Sequence, residues 1–125
     1  MTRTILIVED DGPTQMLLET LVQRYGYASV SAQDGRAAIE LLGARDFTAV
    51  ILDLMMPQVG GADVIEFLTR EKKRVPVVVC TAAGPDKTAD FDSDVVGAVV
   101  RKPFDIEGLM ATVNDLVQRF DSQDG

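Results

Sequence analysis

Three short runs in this chain, Ile5-Leu6-Ile7-Val8, Ala49-Val50-Ile51-Leu52 and Val77-Val78-Val79-Cys80, are apolar at every position. A strand with one wet face alternates apolar and polar residues, whereas an uninterrupted β-branched and aliphatic run marks a strand covered on both faces. Amphipathic stretches of helical period separate these runs. Alternating β and α elements with doubly covered strands imply a parallel sheet flanked by helices on both sides. At 125 residues the chain fits one domain with a core of its own.

Taken in order, Glu9-Asp10-Asp11 and Gly12-Pro13 follow the first run. A helix from Met16 to Tyr25 comes next, with Leu17, Leu18, Leu21, Val22 and Tyr25 inward, Met16, Thr20 and Gln23 opposite, and Gly26 as its stop. Ala28-Ser29-Val30-Ser31 is short and half polar, as befits an edge strand. Asp34-Gly35 opens a second helix, with Ala38, Ile39 and Leu42 inward, that ends at Gly43. Gly60-Gly61 is a flexible turn into a third helix that packs Val64, Phe67 and Leu68, and Val75-Pro76 breaks out of it. Ala98-Val99-Val100 forms a fifth strand. The last helix spaces Ile106, Leu109, Met110, Val113, Leu116, Val117 and Phe120 three and four apart, with Asp105 as N-cap and a frayed tail from Asp121. These boundaries give a domain over residues 1–121 and a tail over 122–125.

Between Gly84 and Val95 only Ala89 and Phe91 offer apolar anchors, among four aspartates. The helix that the alternation requires there is expected to be short, displaced or mobile. Because the second strand is the weakly apolar one, it belongs at an edge. The strand order is then 2-1-3-4-5, a flavodoxin-like doubly wound α/β sheet.

Composition narrows the chemistry. A net charge of −8 argues against nonspecific binding of nucleic acid or of anionic membranes. No stretch is apolar for long enough to span a bilayer, and Met1-Thr2-Arg3-Thr4 leads directly into a strand; the expectation is a soluble, unprocessed, cytoplasmic protein. The single cysteine, Cys80, excludes an internal disulfide and reads as a buried thiol in a reducing compartment. There is no histidine, so any chemistry rests on carboxylates, hydroxyls and lysine.

In a parallel sheet every strand presents its carboxyl end at the same edge, where functional sites form. The buried strands end at Glu9-Asp10, at Asp53, at Thr81 and, after the fifth, at Lys102. Singly each has a plain structural explanation: a turn residue or helix cap for Asp53, an acidic first turn for Glu9-Asp10-Asp11, a solvated lysine, a β-branched strand residue. Together they are harder to explain, because carboxylates a few ångströms apart repel by roughly 4 kcal/mol per pair at an effective dielectric near 20. A cation should occupy the cluster. All-oxygen ligands in an open site suit Mg²⁺, and Mg²⁺ beside a carboxylate, a hydroxyl and a lysine makes a place for a phosphoryl group. Asp53 then becomes a nucleophile able to carry an aspartyl phosphate.

These residues resemble the receiver domain of two-component response regulators along nearly the whole chain, through Ile5-Leu6-Ile7-Val8-Glu9-Asp10-Asp11, Ile51-Leu52-Asp53-Leu54-Met55-Met56-Pro57, Cys80-Thr81-Ala82 and Lys102-Pro103-Phe104. The resemblance implies Asp53 as phosphoacceptor, and Glu9 and Asp10 as the acidic pair holding Mg²⁺, one of them through water, with Asp53 and the Met55 carbonyl as further ligands. It implies Thr81 as the switch hydroxyl, Lys102 as the phosphoryl-contacting lysine and a cis bond before Pro103. It also implies docking of the phosphodonor near Met16 and Phe104. The donor would be a sensor histidine kinase or a histidine phosphotransfer protein, and the output an unidentified protein target met by a monomer or weak dimer. Asp11 can equally cap the first helix.

The chain departs from the family in three places. Val99 stands where an aromatic residue usually swings inward with the threonine, and valine is stiff and has no ring to reorient. Gly60-Gly61 replaces a common Asp-Gly, which should loosen the loop after Asp53. Met55 and Ala83, two positions beyond Asp53 and Thr81, cannot orient an attacking water, so self-dephosphorylation is expected to be slow. The expectation is a signalling phosphoacceptor and not a turnover enzyme. An aspartyl-phosphate phosphatase would want a second aspartate where Met55 stands. A flavodoxin would want a hydroxyl-rich phosphate loop where Glu9-Asp10-Asp11 stands. A receiver cut from a longer regulator with a DNA-binding or enzymatic output domain remains the main alternative.

Overall fold

The computed structural model describes residues 3–53, 60–81, 95–101 and 105–124. Within them the chain forms β1 (Thr4–Val8), α1 (Gly12–Arg24), β2 (Ala28–Ala32), α2 (Gly35–Ala44), β3 (Ala49–Asp53), α3 (Gly61–Arg70), β4 (Val77–Thr81), β5 (Val96–Arg101) and α4 (Ile106–Asp124). All strand pairs are parallel and the order is β2-β1-β3-β4-β5, as the sequence predicts. The helix expected between Gly84 and Val95 lies outside the described residues.

The apolar runs are explained by two cores, one on each face of the sheet. Ile5, Ile7, Ile51, Val78 and Cys80 point to one side, under α1 and α4, where they meet Leu18, Leu21, Val22, Leu109, Met110 and Val113. The intervening Leu6, Val8, Val50, Leu52, Val77 and Val79 point to the other, against Ala38, Leu42, Val64, Ile65 and Leu68 of α2 and α3. A period of two along β1, β3 and β4 thus feeds both cores, so the interior positions of these strands are apolar.

Helix starts follow from side-chain caps. Asp11 accepts from the Thr14 N–H at 3.0 Å, and Pro13 in the first turn supplies a fixed φ where no N–H is needed, so α1 begins at Gly12, ahead of the expected Met16. Asp34 caps α2 through the Ala37 N–H at 2.8 Å, and Asp105 caps α4 through the Gly108 N–H at 3.1 Å. Gly60 has a φ of −103°, one any residue adopts, and the Asp63 side chain accepts from its N–H at 2.9 Å to start α3; the loop over 54–59, expected to be loosened, lies outside the described residues.

Several expectations change. Leu17 is 45 % exposed because it lies about 100° of arc from the middle of the buried stripe formed by Leu18, Leu21 and Val22. Tyr25, 43 % exposed, sits at the C-cap, where the helix path has ended. Ile106, in the first turn of α4, is 40 % exposed. Ile39 and Phe67, half-buried, do pack against the core as expected. The second helix runs through Gly43 to Ala44, β5 starts two residues before Ala98, and α4 continues to Asp124 where a frayed tail was expected. Gly97 explains the fifth strand's weak signal: a Cβ there would stand 2.9 Å from Leu116 Cδ1, so close packing of α4 removes an apolar residue from the strand pattern.

Candidate functional site

The carboxyl edge of the sheet gathers the acidic residues as the topology requires. Glu9 follows β1 directly, and its N–H donates to the Ala32 carbonyl at 3.0 Å, prolonging the β1–β2 ladder by one residue and fixing the turn. Glu9 is 1 % exposed and Asp53, the last residue of β3, 6 %, while Asp10 is exposed. One carboxylate oxygen from each of the three lies within 4.8 Å of the others.

Asp11 belongs elsewhere. Its Oδ2 accepts from both the backbone N–H and the hydroxyl of Thr14, the latter at 2.5 Å, so it is the N-cap of α1. The ambiguity that the sequence leaves at Asp11 is resolved in favour of the helix.

Thr81 ends β4. Asp53 pairs with Cys80, and Thr81 pairs with Arg101, which places the Thr81 backbone one residue, about 3.3 Å along the strand, beyond the level of Asp53. Arg101 ends β5 at the same edge, one residue before Lys102. Met55, Lys102, Pro103 and Phe104 lie outside the described residues, so the lysine contact, the cis bond and the carbonyl ligand are not placed. Val99 pairs with Val79 and is 38 % exposed, a valine standing on the edge strand and not folded into the core. Met16, 68 % exposed on α1, faces outward as expected, and Leu17 beside it, read as inward from sequence, widens that apolar surface.

Three ionised carboxylates this close repel by about 3.5 kcal/mol per pair at an effective dielectric near 20, somewhat less where Asp10 meets water. Oxygen ligands on one octahedral Mg²⁺ stand about 3 to 4 Å apart, so the cluster accommodates that ion with small shifts or one bridging water. Chemically the set is hard and all-oxygen, in a chain without histidine, and its one cysteine is buried in the core. The residues fit Mg²⁺ and fit nothing softer.

A family model for the response regulator receiver domain matches residues 5–114. Response regulator MprA of Mycolicibacterium vanbaalenii is 33 % identical over 123 residues, covering 97 % of this chain and 53 % of the relative. The chain spans about half the length of the curated relatives it matches. Among solved structures, response regulator protein TrrA of Thermotoga maritima in complex with Mg²⁺–BeF aligns at 28 % identity with a TM-score of 0.82, over 92 % of this chain and 99 % of that one. A CheY-like receiver domain protein of Methanospirillum hungatei aligns at 16 % identity with a TM-score of 0.91, over 98 % and 99 %, which speaks to the fold alone. The sheet order, the acidic cluster at its carboxyl edge and the match over residues 5–114 agree, and the chain belongs to the response regulator receiver domain family of two-component systems.

Proposed function

We propose that Asp53 accepts a phosphoryl group from a phosphohistidine on a sensor histidine kinase or a histidine phosphotransfer protein. The observation that carries this reading is the convergence of Glu9, Asp10 and Asp53 within 4.8 Å, with Asp53 nearly buried at a strand end. Glu9, Asp10 and Asp53 would hold Mg²⁺, which would supply neutralising charge to the phosphoryl oxygens and the carboxylates. One Asp53 oxygen forms the new bond to phosphorus while the bond from phosphorus to the donor nitrogen breaks, and the departing imidazole takes up a proton. That a neighbour of the same fold was solved with Mg²⁺–BeF supports the same ligand pair here.

Thr81 follows Asp53 along the edge and is assigned the switch hydroxyl, and Lys102 the second contact to the phosphoryl group. With Val99 exposed and ringless, the signal does not travel through a reorienting aromatic side chain. It is assigned to the 84–95 segment between β4 and β5, which the sequence makes acidic and poor in apolar anchors. The domain acts as a stoichiometric cytoplasmic phosphoacceptor, not as a turnover enzyme, and with Met55 and Ala83 two positions beyond Asp53 and Thr81 in sequence its phosphate is lost slowly. Because the relatives are about twice as long, a second reading makes this chain the receiver part of a longer regulator with a DNA-binding or enzymatic output.

Intact-mass measurement after addition of Mg²⁺ and a small phosphodonor tests the assignment. One phosphate on the unaltered chain and none on Asp53→Asn is the expected result; labelling that survives the substitution overturns it.

A further inference from the structure

At the opposite edge of the sheet, below the amino ends of β3 and β4, the turns after α2 and α3 line a half-open cleft of about 180 Å³. Its apolar lining comes from Leu42, Phe47 and Val75, and its charged lining from Arg45, Lys73 and Arg74. Asp46 also lines it, with a fully exposed carboxylate 4.0 Å from the Lys73 amine, so the lining carries three cationic side chains and one anionic in a chain of −8. A cluster of cationic side chains in an acidic molecule attracts anions.

The cations are held in position. The Arg45 guanidinium lies 5.0 Å from the centre of the Phe47 ring, that of Arg74 lies 5.6 Å from the Phe120 ring, and the Lys73 amine donates to the Leu42 carbonyl. Stacking uses the face of a guanidinium, whereas carboxylate recognition uses its N–H edge, so the two are compatible. A second feature points the same way. Lys72, next to the lining, has φ +54°, a left-handed position that glycine would take with less strain. The left-handed position belongs to the helix end, and lysine in place of glycine there sets a further positive charge beside the lining at a cost to the backbone.

We propose that this cavity binds a small organic acid: a carboxylate head against Arg45, Lys73 and Arg74, on an apolar body of about one ring resting on Phe47, Leu42 and Val75. The volume suits about one ring, since about 150 Å³ accommodates benzene, and the open side leaves the carboxylate head at the charged rim. A mononucleotide is too large, and a bare inorganic anion would leave the apolar wall unfilled.

The test is a titration of the full chain with benzoate, followed by backbone amide resonances, with benzamide as the neutral counterpart of equal shape. Saturable shifts centred on residues 42–48 and 73–75 are expected, at millimolar affinity, with benzamide about tenfold weaker since it lacks the charge. Arg45→Gln and Arg74→Gln, both at exposed positions, should each weaken benzoate about fivefold, and Arg36→Gln at the other edge should not. Lys72→Gly keeps the turn and should weaken benzoate about twofold, a loss that moderate salt abolishes. Equal response to benzamide, shifts centred away from this cleft, or no saturable shift at all would overturn the proposal. Folding of each variant is read from the same spectra, so a collapsed variant is not mistaken for a lost site.

Discussion

The two edges of the sheet carry opposite charge for different reasons. Helices in this fold run antiparallel to the strands, so helix N-termini gather at the carboxyl edge, and acids there have an ordinary use. Asp11, Asp34, Asp63 and Asp105 all accept from a backbone N–H in the first turn or at the cap of a helix. Glu9, Asp10 and Asp53 cap none of the described helices and crowd one another within 4.8 Å. At the amino edge the helices end, and cations there are also ordinary: the Lys73 amine meets the Leu42 carbonyl, and Arg45, Arg70 and Arg74 cover Phe47, Phe67 and Phe120. The helix dipole therefore accounts for most of the charge at both edges. What it leaves over is the acidic triad at one edge and Lys72 at the other.

The largest effect should come from breaking the triad. Mg²⁺ at about a hundred times its dissociation constant should stabilise the unaltered chain by about 2.7 kcal/mol, read as a rise in Tm. Asp10→Asn should remove most of that rise and, by relieving repulsion from Glu9 and Asp53, raise the Tm measured without Mg²⁺. Glu9→Gln should abolish the Mg²⁺ response as well. An undiminished response in both variants would mean that the cluster does not hold the ion.

Removing a cap should do the reverse. Asp34→Ala loses the bond from the Ala37 N–H and should cost about 1 kcal/mol in urea unfolding while leaving the Mg²⁺-induced rise in Tm unchanged. Asp105→Ala should behave alike at the start of α4. If either variant blunted the Mg²⁺ response, the division between structural and site acids would fail.

That division was only partly visible in the sequence. The strands β1, β3 and β4 were legible because burial on two faces keeps their interior positions apolar, and once the sheet is parallel the strand ends must meet, which placed Glu9, Asp10, Asp53 and Thr81 at one edge. Helical periodicity, by contrast, finds the direction of a buried arc but not its width, so Leu17 and Leu18 looked alike although one is 45 % and the other 2 % exposed. The early part of β5 was hidden for another reason. Gly97 serves the packing of Leu116, not the strand, and the register shifts between Val77 and Val78, so pairing there leaves no simple pattern.

The smallest effect concerns the residue that the dipole leaves unexplained at the amino edge. The turn after α3 is a Schellman motif: the Lys73 N–H donates to the Leu68 carbonyl at 3.0 Å and the Lys72 N–H to the Thr69 carbonyl at 3.2 Å, with Lys72 at the left-handed position between them. A left-handed non-glycine residue costs about 1 to 2 kcal/mol, and glycine there gives back about 0.4 to 1 through its freedom in the unfolded chain. Lys72→Gly should therefore raise stability in urea by about 0.5 to 1 kcal/mol, with the slope of the transition unchanged. If stability falls instead, the Lys72 side chain is making a structural contact and the left-handed lysine is accounted for by the fold. If stability rises while benzoate binds less well, the backbone strain is the cost of keeping a positive charge beside the cavity. The two measurements on one variant separate a turn that merely tolerates lysine from an edge that uses it.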